Sequence, residues 1–489
     1  MLAFASIVGA CFYARPSLAQ CTSQALGRCS IDLFQGPVLA PARTTGLGGA
    51  FAAYAEGVDA ISANAAAVAV REPYSFTWFD FDLTASIAFP ATFRGTDFDN
   101  DGATGFTYNN FLFYTLGAKA NLGPWGIGVL ADFQNYDLRP ATSATDPEVT
   151  ETLGKLHAVL GRSLFGGQFS IAGGIRAVTL SIDTQQSSSA VSQVGLGGAT
   201  NELSMTGLGP EIGALVRPDY EPWRLGATFR AAVEGRAKSE GAFSRFGDPF
   251  VQPASIYLPW ELELGAAIQV GPRPINPRWL DPHEQEARER KQIEQDRASR
   301  RAAQEAELRG IAEPARMYDR ASELAYQETF VLREEERRLD AARENLQNER
   351  KARYANWPRE RITVLLEMLV SGRSPDAVGL ESFFSHQASL AGMGAGTELK
   401  RSGQRISYSP RLGLEGEPVP DRLQTRIGTY IEPSRFGGLA RQHFTFGFDV
   451  KLVPWGLFGL AKDQVWRIGG VTDLAPRYQN FGISLGAWH

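Results

Sequence analysis

Phe79-Asp80-Phe81-Asp82-Leu83-Thr84-Ala85-Ser86-Ile87-Ala88-Phe89 is the stretch that decides the fold. The odd positions Phe79, Phe81, Leu83, Ala85, Ile87 and Phe89 are apolar, while Asp80, Asp82, Thr84 and Ser86 fall between them. Successive side chains of a strand point to opposite faces, so one face of this segment is wet and the other apolar. Lipid on one side and a watery lumen on the other demand that arrangement. A soluble sandwich with solvated outer faces would alternate too, but it leaves the uniformly apolar face unexplained.

Similar segments recur to the end of the chain, at about 111–121, 125–138, 152–164, 168–182, 201–217, 222–235 and 256–270, then at 361–371, 403–415, 420–432, 442–453, 464–472 and 478–489. Short connections (Gly123-Pro124, Gly166-Gly167, Arg217-Pro218-Asp219-Tyr220 and Glu417-Pro418) alternate with long polar ones. Short periplasmic turns and long external loops follow the barrel rule, and an even strand count returns the C-terminus to the periplasmic side. After the first twenty residues no apolar run reaches the roughly 18 residues that a membrane helix needs. A membrane protein without such helices must close its backbone hydrogen bonds in a barrel. The net charge of -5 gives no sign of nucleic-acid binding.

Ahead of the strands lies a Gly/Ala-rich lead-in, Thr45-Gly46-Leu47-Gly48-Gly49-Ala50-Phe51, running on through Ala60-Ile61-Ser62-Ala63-Asn64-Ala65-Ala66-Ala67. A lead-in of this kind suits a plug inside the lumen. The fold class is therefore all-β: a fourteen-stranded antiparallel transmembrane β-barrel with an N-terminal plug and a charged α-helical hairpin insert. The expected divisions are a signal peptide over 1–19, a plug (hatch) over 20–73, barrel strands over 74–271, a periplasmic helical insert over 272–358 and the remaining barrel strands over 359–489. The signal peptide rests on the apolar stretch Leu2–Tyr13 and the small residues before Gln20. Leu18-Ala19-Gln20-Cys21 approaches a lipoprotein cleavage site, with Gln20 where a small residue is wanted. Cys21 and Cys29 lie eight residues apart, and in an oxidising periplasm they either pair as a staple of the N-terminal arm or stay free.

Strand parity turns Asp80, Asp82, Lys119, Lys155, His157, Arg176, Arg230, Glu261, Glu263, Glu367, Arg411, Arg426, Asp449, Lys451 and Arg467 inward. Both signs are present, which points to ion-pair networks around a plug rather than one strong field. Glycines in 125–137 and 168–180 favour a bend or gap in the wall there.

From Asp281 to Asn356 the alternation stops, and Glu, Arg, Gln and Ala dominate. Gly310 and Pro314 divide this region into helices near 283–309 and 315–354, with Leu332, Leu339 and Leu346 on one narrow stripe. Residues 281–356 read equally well as a docking arm for a periplasmic protein partner or as a solvated hairpin.

Gly46-Leu47-Gly48-Gly49-Ala50-Phe51, Ala60-Ile61 and Asn64 resemble the plug motif of the FadL-like family of outer-membrane hydrophobic-compound transporters. That family continues Asn-Pro-Ala-Gly where this chain has Asn64-Ala65-Ala66-Ala67. Ser409-Pro410-Arg411-Leu412-Gly413 and Thr425-Arg426-Ile427-Gly428-Thr429-Tyr430-Ile431-Glu432-Pro433-Ser434 are similar to its late strands. The resemblance covers the chain except 272–358. It implies a Gram-negative outer-membrane location, contact with lipid and lipopolysaccharide, and passive uptake of a hydrophobic small-molecule ligand such as a long-chain fatty acid. Its site residues would be Gly46, Gly48, Gly49, Phe51 and Asn64 in the plug. The rival reading is a barrel that serves secretion, assembly or surface attachment and docks through its insert.

Asp97-Phe98-Asp99-Asn100-Asp101-Gly102 matches the front half of a calcium loop, although Tyr108 occupies the twelfth position in place of Glu. Weak external calcium binding through Asp97, Asp99 and Asp101 is one reading; an ordinary acidic surface loop is the other. No further cofactor is implied. His157 and Ser163 lie roughly 20 Å apart along a strand, too far for a nucleophile and its base, so no enzyme is expected.

Overall fold

The computed structural model describes every residue except 1–20, 23–25, 35, 72–77, 91–94, 105, 141–148, 185–200, 239–250, 274, 280–281, 357, 359, 391–398, 454–464 and 489. The signal peptide and the lipoprotein-like junction lie outside the described residues.

Fourteen antiparallel strands close into a barrel. They are β1 (Phe79–Pro90), β2 (Phe106–Leu122), β3 (Trp125–Pro140), β4 (Val149–Leu164), β5 (Phe169–Thr184), β6 (Asn201–Val216) and β7 (Trp223–Arg230), then β8 (Glu261–Val270), β9 (Ile362–Ser371), β10 (Ser407–Val419), β11 (Leu423–Glu432), β12 (Arg441–Lys451), β13 (Trp466–Ala475) and β14 (Tyr478–Ala487). Each strand pairs with its neighbours in sequence, and β14 closes on β1 from Asn480↔Pro90 to Gly486↔Thr84.

The period-two pattern is visible in burial. Along β1, Phe79, Ile87 and Phe89 are exposed, whereas Asp82, Thr84 and Ser86 are buried. Ile175, Leu208, Leu366, Ile427 and Ile483 are likewise exposed on the outer wall. An apolar belt of this kind is stable only against lipid. Closure leaves no unpaired strand edge to meet that lipid. No described helix is long and apolar enough to cross a membrane; the strands do the crossing.

Several boundaries differ from those read in the sequence. Val233–Gly235 and Ser255–Leu258, expected as ends of barrel strands, instead leave the wall. They join Ser30–Asp32 and Ala377–Gly379 in a separate four-stranded sheet. Ser30–Asp32 pairs in parallel with both of its neighbours, so the N-terminal arm is built into the external loops. Glu417 and Pro418 lie within β10, and the turn falls after Val419. An apolar run such as Ile256-Tyr257-Leu258 reads the same against a loop core as against lipid, hence the error. Cys21 and Cys29 form a disulfide at the base of the arm.

The plug, residues 36–71, holds α1 (Ala42–Gly46) and two short 3-10 turns, Val58–Ala60 and Ala65–Ala69. Its Ala, Val, Leu and Phe side chains form a core with Leu130, Val159, Leu215 and Leu365 of the wall. Wall glycines let the plug approach. A Cβ added at Gly126 would collide with the Val68 carbonyl, one at Gly226 with that of Ala52, and one at Gly428 with Gly48. In β3, Gly126 accommodates plug backbone and Gly128 the plug side chains of Ile61 and Val68, a use of strand glycine other than marking a gap.

A second compact unit contains 278–358. Its helices are α2 (Pro282–Arg309) and α3 (Pro314–Ala355). The heptad stripe does not form one seam. Leu332 is exposed and Leu339 half-buried, while Leu324, Glu335 and Leu346 are buried. Glu335 accepts from Arg297 Nε at 2.6 Å and also meets Arg300, so a partly buried ion pair helps join the two helices.

Candidate functional site: the plugged lumen

Asn64 anchors the plug. It caps the Ala65–Ala69 turn by accepting the Ala66 N–H at 2.9 Å, and its Nδ2 donates to the carbonyls of Ala52 at 2.7 Å and Ala214 at 3.1 Å. Phe51 and Ala52 donate their N–H groups to Glu367 of β9 at 2.9 and 2.7 Å. Gly48 and Gly49 have φ of 62° and 79°, a left-handed turn that side chains resist. Thr445 of β12 donates to the Gly46 carbonyl at 3.0 Å.

Most of the inward charges that the sequence picks out form two assemblies. In the first, Glu415 of β10 takes Arg426 Nε at 2.7 Å, the Tyr54 hydroxyl at 2.9 Å, and Arg43 and Arg361 at 3.2 Å each. Arg426 continues to Asp449 at 2.7 Å, and Arg467 links Asp449 to plug residue Asp59. Arg224 pairs with Glu56 at 2.9 Å and donates to the Tyr54 carbonyl at 2.6 Å. Burial pushes the Glu56 carboxyl up, but Arg224, Arg43 and Arg361 override it and hold it at about 2. In the second assembly, Arg176 meets Glu261 at 2.6 Å, Arg230 meets Glu263 at 2.9 Å, His157 bonds Glu211 at 2.9 Å, and Arg411 bonds Glu367 at 2.9 Å. Such networks contribute little net stability but fix one arrangement, here the seating of the plug.

The remaining inward candidates are spread out. Lys119 donates to the Val70 carbonyl at 3.1 Å, and Asp82 accepts the Val58 N–H at 2.7 Å, both tying the plug. Asp80 is half-buried at the start of β1. Lys451 turns away from these assemblies to pair with Asp421 at 2.6 Å beside the β10–β11 turn. Ser163 donates to the plug carbonyl of Ala69 at 2.6 Å, a structural use.

The sequence reading missed Arg43, Tyr54, Glu56, Asp59, Arg224 and Glu415. It gave no role to His443, which lies in β12, buried between Asp473 at 2.8 Å and Glu432 at 2.6 Å. Their partners lie far away in sequence, so no spacing rule finds them; parity alone could have flagged Arg224 and Glu415.

Beside the plug is a cavity of about 110 Å³. Pro37, Val38, Leu39, Ala63 and Leu369 give it an apolar side, and Asp132, Lys155, His157, Arg176, Arg230, Glu261, Glu263 and Arg411 a charged one. On the outer wall, Leu83, Ala85, Leu116, Ala118, Val129, Ala131, Trp466 and Leu485 line an apolar depression of about 510 Å³. Small side chains make the depression, and a Cβ added at Gly117 in its floor would touch Val58 of the plug.

Closed strands, an apolar belt and a polar lumen filled by the chain's own N-terminal segment define a plugged outer-membrane β-barrel of the Gram-negative cell. No family model and no curated relative matches the chain. Among solved structures it is similar to the CymD monoaromatic hydrocarbon channel, at 9% identity and a TM-score of 0.46 over 92% of this chain and 97% of that one. It is also similar to the Pseudomonas putida toluene transporter TodX, at 12% identity and a TM-score of 0.43 over 94% and 98%. A third likeness is OprD from Pseudomonas aeruginosa, at 9% identity and a TM-score of 0.22 over 84% of this chain and 94% of that one.

Proposed function

We propose that this barrel is a channel for passive uptake of hydrophobic compounds, with long-chain carboxylates such as fatty acids as its substrate class. The observation that carries the proposal is the two-sided cavity at the plug. Its apolar side, Val38, Leu39, Ala63 and Leu369, suits part of an alkyl chain, and on the opposite side an anionic head would sit by Lys155, exchanging with the carboxylates that now pair Arg176, Arg230 and Arg411. Exit would run sideways at the outer depression, whose floor at Gly117 lies against Val58 of the plug. An apolar solute moving that way avoids the aqueous periplasm.

The test is binding of a fluorescent long-chain carboxylate to purified protein. Leu369→Asp should weaken binding about tenfold, equivalent to about 1.4 kcal/mol, with the barrel fold intact. Unchanged binding would remove the cavity from the route.

The docking reading keeps one observation in its favour. Tyr318, Tyr326 and Phe330 are exposed on α3, and aromatic side chains in such positions are enriched at interfaces. If deletion of 281–356 abolished uptake without disturbing barrel assembly, the insert would be a required partner site.

A further inference from the structure

The loop after β1 brings one carboxylate oxygen each from Asp97, Asp99 and Asp101 within 4.8 Å of one another. The linear motif lacks its last acidic ligand, because Tyr108 stands at the twelfth position. The fold supplies a replacement from another loop. Glu381, in the first turn of α4 (Leu380–Leu390), lines the same small cavity as Asp99. Glu151 and Tyr108 also line it; they are 1% and 9% exposed, and Glu151 Oε2 and Tyr108 Oη have no hydrogen-bond partner. Buried oxygens of this kind call for a ligand or a water.

Size and charge select the ligand. The cavity is about 40 Å³, room for an ion with one or two waters and too little for an organic cation. Lys400 reaches Asp101 at 2.8 Å, and Arg441 donates to the Asp97 carbonyl at 2.6 Å while its head pairs with Glu432. Arg435 also lines the cavity, paired with Asp32 at 3.0 Å, and the carboxylates still outnumber these three cations. Burial, then Asp101 and Asp97, push Asp99 up to about 8; burial, then Asp99, Asp101 and Asp97, push Glu381 well above the carboxylate range. All the donors are hard oxygens in an irregular set, which suits calcium better than a softer or strictly octahedral ion.

We infer that the external mouth of the barrel holds a calcium-class divalent cation, ligated by Asp99 and Glu381 with Asp97 and Asp101, that ties the β1–β2 loop to α4. This site is independent of the substrate route.

Terbium luminescence, sensitised by Tyr108 and Tyr136, tests the inference on the full chain in detergent free of lipopolysaccharide. The expected result is saturable emission that millimolar calcium displaces, weakened about tenfold or more in Asp99→Asn/Glu381→Gln. Glu313→Gln on the insert should leave emission unchanged. Heat-modifiable migration reports the fold of each variant, and if the double variant misfolds, Glu381→Gln alone decides. Emission that never saturates, or equal binding by a folded Glu381→Gln protein, would overturn the site.

Discussion

Asn64 of the plug and Ala214 of strand β6 are joined by a 3.1 Å hydrogen bond from the Asn64 amide to the Ala214 carbonyl. The same amide holds Ala52 and Ala66, so one side chain organises two plug turns and the wall behind them. Asn64→Ala would strand a buried carbonyl and a buried N–H, a cost of about 1–3 kcal/mol for each group left unsatisfied. The barrel should still assemble while the plug loosens. Planar-bilayer recording should then show higher or noisier conductance than the parent; identical traces would contradict the anchoring role.

The wall glycines predict a steric contrast. Gly428→Val places its side chain against Gly48 and should displace the plug, exposing residues 36–71 to protease in the folded barrel. Gly173→Ala meets nothing closer than 3.8 Å and should behave as the parent. Limited proteolysis on folded protein separates the two outcomes.

How much of this was legible in the sequence depended on periodicity. The barrel strands announce themselves because lipid and lumen impose a period of two, and Phe79–Phe89 suffices to set the register of β1. Segments that leave the wall, such as Ser255–Leu258, keep the same apolar character and so passed for barrel. The plug's charge anchors were hidden for another reason. Arg43 and Glu415 are 372 residues apart, and only the folded lumen brings them together. Glycines carried two possible meanings, and plug contact rather than a wall gap accounts for Gly126 and Gly128.

The outer belt yields an insertion test. Leu116 and Ile175 are more than half exposed on the lipid face. Replacing either with Arg should cost about 2–4 kcal/mol near the bilayer midplane and lower the yield of heat-modifiable barrel. Insertion equal to the parent would refute the assigned face.

Two plug and loop carboxyls predict opposite pH responses. Glu56 is held at about 2, below its ordinary value, so its contribution to plug seating is present above about pH 4.5 and is lost as pH falls towards 2. Asp99 is raised to about 8, so without divalent cation the loop loses stability as pH rises from about 4 to 8. Protection factors in 95–104, corrected for the intrinsic rise of amide exchange with pH, should fall over that range in chelator and hold with calcium. An equal fall in both conditions would detach the loop from cation binding.

Within the hairpin, Glu335 takes both Arg297 and Arg300, whose side chains remain partly exposed. Solvent screening keeps such a contact near ~1 kcal/mol, so Glu335→Gln should lower hairpin stability modestly and lessen its salt dependence. Thermal melts at two salt concentrations check this; a loss of several kcal/mol would mean that the carboxylate is load-carrying in a drier environment.

The central claim is tested most directly by uptake of a labelled long-chain fatty acid into Gram-negative cells lacking their own route, compared with uptake of a polar solute of similar mass. Cells expressing the intact barrel should take up the fatty acid and exclude the polar solute, and Leu369→Asp should depress uptake while leaving surface assembly unchanged. A correctly inserted barrel that admits the polar solute alone, or neither molecule, would contradict a hydrophobic-compound channel.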